Sequence, residues 1–273
     1  MLLISQLNIY PIKSLGGIKI ECAVLTDRGF QHDRRFVLID ESNRFISQRE
    51  IPKMALLQPV ISGDKLFVFE KRNSGDVLEL DLKPVTGAQC TVHLFKDESE
   101  GLLVSKDADK WFSEKLGTNC RLVYMPDQVR RPVDHAFAIQ DDITSFSDGY
   151  PVLMIGESSL QDLNGRLALP LPMNRFRPNI VFAGGVPFEE DTMKVFEING
   201  IHFYAVKSCA RCVMTTIDQE TAQQAKEPLK TLAAYRTLNK RICFGQNILF
   251  NKQGQINVGD ELKVLERQPH LTF

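Results

Sequence analysis

The hydrophobic pattern over the first 125 residues reads mainly as strands. Lys65-Leu66-Phe67-Val68-Phe69 follows a Gly63-Asp64 turn signal, and Thr91-Val92-His93-Leu94-Phe95 alternates as a half-buried strand does. Phe36-Val37-Leu38-Ile39 is a continuous apolar run, suited to a strand buried on both faces. The spacing turns helical between about Asp107 and Leu116, where Ala108, Trp111, Phe112 and Leu116 share one face and Gly117 supplies the stop. From Met125 to Pro132 the periodicity fades and two prolines intervene. This predicts a boundary there, between a segment 1–125 and a segment 126–273.

The second segment is mixed. Leu160, Leu163 and Leu167 recur at helical spacing behind Ser158 and Gln161, a capping-box pattern, and residues 169–178 are broken by prolines into a loop. Val195-Phe196-Glu197-Ile198, Asn199-Gly200 and Ile201-His202-Phe203-Tyr204-Ala205-Val206 give the strongest local signal in the chain. Asn-Gly between two alternating runs predicts a tight hairpin, because both central residues of a type I′ turn need positive φ. Glu227-Pro228 opens a further helix with Leu229, Leu232 and Ala233 as its apolar stripe. The sum is a mainly β chain with peripheral helices, an α+β arrangement of β-barrels rather than alternating βαβ units.

Composition narrows the function classes. Lys plus Arg number 33 against 34 Asp plus Glu, so no broadly basic surface is available for nucleic acid. There is no apolar run long enough to cross a membrane, and the start, Met1 to Leu7, lacks the basic region and cleavage site of a signal peptide. Six cysteines in 273 residues are too sparse for a disulfide scaffold. The expectation is a cytoplasmic protein that engages neither nucleic acid nor membrane.

The candidate chemistry begins at Lys207-Ser208-Cys209-Ala210-Arg211-Cys212. A dithiol redox pair needs a following helix N-terminus, and Val213-Met214-Thr215-Thr216-Ile217 reads as strand. A structural zinc site needs four ligands, and no second paired motif is present. One thiolate could ligate the metal of a larger cofactor, with Arg211 and Lys207 favouring the anion. Two ordinary buried cysteines are the remaining reading. Cationic turns give a second clue. Lys13-Ser14 stands beside Gly16-Gly17, Asp33-Arg34-Arg35 precedes one buried run, and Arg177-Pro178-Asn179 precedes another. Ammonium, hydroxyl and guanidinium donors of this kind suit a phosphate, although no P-loop spacing is present, each charge taken alone reads as a solvated surface charge, and Asp33 and Arg35 could simply pair with neighbours.

Six motifs then occur in a recognisable order. They are Tyr10-Pro11-Ile12-Lys13-Ser14, Asp33-Arg34-Arg35-Phe36, Phe146-Ser147-Asp148-Gly149-Tyr150-Pro151, Phe176-Arg177-Pro178-Asn179, Cys209-Ala210-Arg211-Cys212 and Phe244-Gly245-Gln246-Asn247. In this order the chain resembles MOSC-domain proteins, in the branch of the mitochondrial amidoxime-reducing component and its bacterial homologues. The resemblance runs from an N-terminal MOSC β-barrel domain to Val258-Gly259-Asp260-Glu261.

That resemblance implies a molybdenum cofactor, a molybdopterin with a terminal phosphate and one protein thiolate on the metal. By residue match the thiolate is Cys212, which makes it both metal ligand and catalytic residue. Lys13, Ser14, Arg35 and Arg177 match positions that hold the pterin and its phosphate, and Arg211 lies beside the metal ligand. Ser147 and Asp148 match a loop over the molybdenum side, where Asp148 either exchanges a proton near substrate or caps a turn. Ala210 stands where relatives often carry a small polar residue. The implied activity is reduction of N-hydroxylated compounds, and a sulfur- or cofactor-carrier module is the alternative. Some bacterial relatives add a [2Fe–2S] domain, which needs four cysteines, whereas only Cys243 follows Cys212 here. The expectation is no iron–sulfur cluster in this chain and electrons from a separate protein, a ferredoxin or a cytochrome b5 type with its reductase.

Overall fold

Seven strands close into a barrel in the computed structural model, which describes residues 1–85 and 87–269. They are β1 (Leu2–Ile9), β2 (Val152–Gly156), β3 (Ile180–Ala183), β4 (Met193–Ile198), β5 (Ile201–Ala210), β6 (Arg241–Phe250) and β7 (Glu261–Arg267). The order around the barrel is β2-β3-β1-β7-β4-β5-β6, and pairing of β6 back onto β2 completes it. The β2–β3 pair is parallel and the others are antiparallel.

The β4–β5 hairpin forms as its sequence dictates. Asn199 and Gly200 take φ of 50° and 72°, which sets Ile198 opposite Ile201 and Phe196 opposite Phe203. The two rings stack at 5.4 Å inside the barrel, a cross-strand pair that fixes register as well as burying area. Ile4, Leu7, Met154, Ile180, Phe182 and Ile248 fill the rest of that interior.

The second core lies under two smaller sheets. Phe36–Ile39, Arg121–Tyr124, Asp97–Leu103 and Gln89–Leu94 form one, and the meander Leu57–Ser62, Lys65–Glu70, Asn73–Asp81 forms the other. Helix α1 (Lys106–Leu116) packs Ala108, Trp111, Phe112 and Leu116 into this core. Ser105 caps its start by accepting the Ala108 N–H at 3.1 Å, and Gly117 ends it in the left-handed region. Strands take 44% of the chain and helices 15%, so the fold is mainly β with peripheral helices, as the periodicity requires.

Packing does not follow chain order. β1 belongs to the barrel, and Cys22–Thr26 pairs with Gly254–Asn257 from the far end of the sequence. The stretch at 125–132 separates segments of sequence, and the sheets interleave across it.

Three local expectations are corrected. Helix α2 (Glu157–Gly165) starts without a side-chain cap, because Ser158 Oγ instead donates to the Gly185 carbonyl at 3.1 Å. Val213–Thr216 is a 3₁₀ turn rather than a strand, since the Thr215 and Thr216 hydroxyls donate back to the carbonyls of Cys212 and Val213. Phe95 lies beyond its strand, which ends at Leu94, and sits in the following turn. Among the described residues no helix is long and apolar enough to cross a membrane.

Candidate functional site

The loops after β1 and β5 and those before β2 and β3 meet at one cleft with a cavity volume of about 120 Å³. Its lining carries Lys13, Arg34, Arg49, Arg175, Arg177 and Arg211 against a single carboxylate, Asp148. Two thiols, Cys209 and Cys212, share it. Asp33 and Asp218 pair with Arg34 and Arg175 from behind the lining, and the remaining cations leave the cleft net positive, the field an anionic group would meet.

Tyr10 organises the arginines. The guanidinium carbons of Arg34 and Arg177 lie 4.4 and 4.2 Å from its ring centre. Arg34 is anchored by the buried Asp33 and by Asn179 Oδ1 at 2.9 Å, while Arg177 Nη1 donates to the Leu15 carbonyl at 2.6 Å. Burial brings Arg177 down to about 10, with Tyr10 opposing and Arg34 adding to the fall, and burial drives the Tyr10 phenol up to about 12. Both remain in their neutral-pH forms, cationic and un-ionised. Ser14, Arg34 and Arg177 all have positive φ, at 69°, 47° and 56°. Each left-handed non-glycine residue costs roughly 1 kcal/mol, and such strain concentrates where side chains must be aimed.

Lys13 is buried and ion-pairs with Asp148, whose own side chain opens to the cleft. Burial lowers the Lys13 ammonium and Asp148 raises it again. For Asp148, burial acts upward, but Lys13, Arg34 and Arg49 outweigh it and hold the carboxyl well below the usual range. It is therefore a carboxylate that accepts hydrogen bonds at neutral pH. The loop bearing it is clamped by buried Arg131, which donates to the carbonyls of Ser145 and Ser147 at 3.0 and 2.7 Å.

The two cysteines differ in setting. Cys212 is exposed to the cleft and begins the 3₁₀ turn, whereas Cys209 is half-buried. Arg211 Nη1 donates to Cys209 Sγ at 2.9 Å and Nη2 to the Phe176 carbonyl at 2.6 Å. Burial pushes the Cys209 thiol up, and Arg211 partly reverses this. Its Nε is buried without a partner, a donor left free beside the cleft.

Seven of the eight residues singled out from sequence line this cleft: Lys13, Ser14, Ser147, Asp148, Arg177, Arg211 and Cys212. Arg35 does not. It extends the strand pairing of Phe36, and its guanidinium donates to the Met125 carbonyl and to Asp127 at 2.7 Å. Its neighbour Arg34, turned by its positive φ, is the arginine that faces the cleft. Ser147 is present, but its hydroxyl is engaged by Thr144 and by the Tyr150 carbonyl, so it shapes the loop. Arg49 and Arg175, both missed, come from stretches with no motif. Arg34 stood inside a quoted motif, and only the backbone turn decides between it and Arg35.

The donor set fits a molybdenum-bearing pterin phosphate. Hard cationic donors suit a phosphate, a cleft-facing thiol suits a soft metal, and the free Arg211 N–H awaits an acceptor. Among the described residues no three His, Cys, Asp or Glu side chains gather as a metal-ligand cluster. Among the described residues no zinc site or other purely protein-held metal site is built, and a metal at Cys212 needs a group that brings its other ligands.

Comparison with known proteins agrees with this chemistry. Residues 1–119 match the MOSC N-terminal beta barrel domain and residues 141–263 the MOSC domain. The chain is 33% identical to mitochondrial amidoxime-reducing component 1 of Mus musculus, over 96% of this chain and 82% of that protein. The same protein of Homo sapiens matches at 32% with equal coverage. A molybdenum cofactor sulfurase of Oryza sativa is 30% identical over 91% of this chain, which spans only 32% of that longer protein.

Proposed function

The chain belongs to the MOSC-domain family, with its N-terminal β-barrel domain and its MOSC domain in sequence, and from that premise we propose that it is a molybdenum-cofactor-dependent oxidoreductase. The reaction is reduction of N-hydroxylated compounds such as amidoximes, hydroxylamines and N-hydroxylated bases. Two electrons and two protons convert the N–OH group to N–H and release water, and a separate ferredoxin or cytochrome b5 type protein with its reductase supplies the electrons. The observation that carries the reading is the convergence of Lys13, Arg34, Arg177 and Cys212 on one cleft with Asp148 beside them.

Each residue has a definite task in this reading. Ser14, Arg34 and Arg177 would hold the phosphate-bearing end of the cofactor, and the Cys212 thiolate would hold the metal. When bound, the metal centre supplies the two-electron chemistry, as cofactors do generally. Asp148, ionised at neutral pH, accepts a hydrogen bond from the substrate N–H or O–H and orients the N–O bond. The Lys13 ammonium sits behind that carboxylate and keeps it charged. Tyr10 stays protonated and acts as a platform for Arg34 and Arg177.

The direct test uses protein made in a host competent for cofactor synthesis. With an electron-donor chain added, benzamidoxime should give benzamidine, and omission of the donor chain should stop turnover. The likeness to the rice sulfurase favours a second reading, a sulfur or cofactor carrier. A carrier would release its cargo to an acceptor and show no amidoxime turnover under the same conditions.

A further inference from the structure

Phe95 is the first residue of a two-residue hairpin loop, between Leu94 and Asp97, and its φ is 57°. That position ordinarily takes glycine, asparagine or aspartate, and a bulky aromatic there is an outlier. Its ring is not drawn into a core, since 53% of the residue remains exposed while Val92 and Leu94 fill the interior below. The ring lies against Phe45 instead, with centres 4.8 Å apart and planes tilted by 59°. Two cations brace the pair. Lys13 Nζ lies 5.1 and 5.6 Å from the Phe45 and Phe95 ring centres, and the Arg49 guanidinium 5.3 and 5.1 Å.

These contacts tie the rings to the reacting end of the cleft. Lys13 also pairs with Asp148, so the aromatic wall stands one side chain from the carboxylate that receives the substrate. Phe95 lines the same cleft as Asp148 and is open to a group attached to a substrate held there. A tetrahedral alkyl group offers that ring little contact, whereas a flat conjugated group stacks on it in offset or edge-on geometry.

We infer that Phe95, backed by Phe45, is the specificity-determining wall of the cleft and favours N-hydroxylated substrates whose N–OH-bearing group is joined to a planar, π-conjugated ring system. The inference rests on the reading above that N–O bonds are reduced here, and it adds the substrate class.

The test compares benzamidoxime with acetamidoxime in the cofactor-loaded protein and in Phe95→Asn and Phe95→Tyr. Asparagine suits the positive φ, so Phe95→Asn removes the ring without straining the turn, and its thermal midpoint should equal or exceed the wild-type value. The KM ratio of acetamidoxime to benzamidoxime should fall about tenfold in Phe95→Asn, the order expected for a lost stacking surface, and recover in Phe95→Tyr. A second readout needs no turnover: benzamidine binding, followed by calorimetry, should weaken by a similar factor in Phe95→Asn, with acetamidine as control. An unchanged ratio, or a parallel loss for both compounds, overturns the inference. So does a fall in cofactor content in Phe95→Asn, which would mean that the rings hold the pterin. Wild-type protein that reduces neither compound refutes the proposed activity instead, and the benzamidine comparison still decides the role of Phe95.

Discussion

Arg211 points its Nη1 at the sulfur of Cys209, 2.9 Å away, and not at Cys212. Sequence proximity suggested the opposite, because Arg211 directly precedes Cys212 and a cation beside a thiol favours the thiolate. The reason lies in the strand. β5 ends at Ala210, and Arg211 folds back to donate to the Phe176 carbonyl as well, which carries the guanidinium past the first cysteine. The cysteine left open to the cleft is the second, the one proposed above to hold the metal.

The two thiols should therefore react differently. In metal-free protein, Cys212 should be alkylated by iodoacetamide roughly tenfold faster than Cys209 at pH 7.5, given exposure of one and half-burial of the other. Arg211→Ala should slow Cys209 further, because its thiol loses the cation that opposes burial. Peptide mass spectrometry across a pH series measures both rates. Equal rates in the wild type would contradict the assignment of the open position to Cys212.

Arg34 and Arg35 should separate cleanly by mutation. Loss of a charge-assisted contact is worth about 1.5–3 kcal/mol, so Arg34→Ala or Arg177→Ala should reduce cofactor affinity roughly 10- to 100-fold. Arg35→Ala should leave cofactor content near wild type and lower stability by about 1–3 kcal/mol, through the abandoned Met125 carbonyl and Asp127. Metal analysis with urea denaturation of the three variants checks this. Cofactor loss confined to Arg35→Ala would restore the sequence-based choice.

Glu190 sets a pH dependence away from the cleft. It is fully buried behind β2, accepting from Ser159 Oγ at 2.7 Å and from the Gly156 N–H at 3.2 Å. Burial, with the charge of Asp191, raises its carboxyl to about 7. A raised acid binds its proton more tightly in the folded state, so its contribution is intact below the unfolded value near 4.5 and is lost as pH rises to about 7. Glu190→Gln should therefore gain stability relative to wild type between pH 5 and 8, by roughly 2–3 kcal/mol at the upper end. Paired urea titrations at those pH values would show it, and a gap that narrows with rising pH would contradict it.

The fold was legible wherever local pattern and tertiary demand coincide. The Asn199-Gly200 hairpin, the α1 face from Ala108 to Leu116 and the Phe36–Ile39 strand each needed only spacing and turn chemistry. Barrel closure was not legible, since the β6–β2 and β1–β3 pairings join residues far apart in sequence. Most of the cleft followed from motif order, but the choice between Arg34 and Arg35 turned on one left-handed φ. Phe95 read as a strand residue because an aromatic side chain suits a strand and directly follows the alternating run, although as a second apolar residue after Leu94 it already breaks the alternation.

The central claim is that this cleft holds a molybdenum cofactor with Cys212 on the metal. Its most direct test is molybdenum and pterin content, together with turnover, of wild type and Cys212→Ala made in a cofactor-competent host. The account predicts stoichiometric molybdenum and pterin in the wild type, and in Cys212→Ala no turnover, with some cofactor retained by Ser14, Arg34 and Arg177. Wild-type protein free of molybdenum and pterin under those conditions, or an active Cys212→Ala, would contradict it.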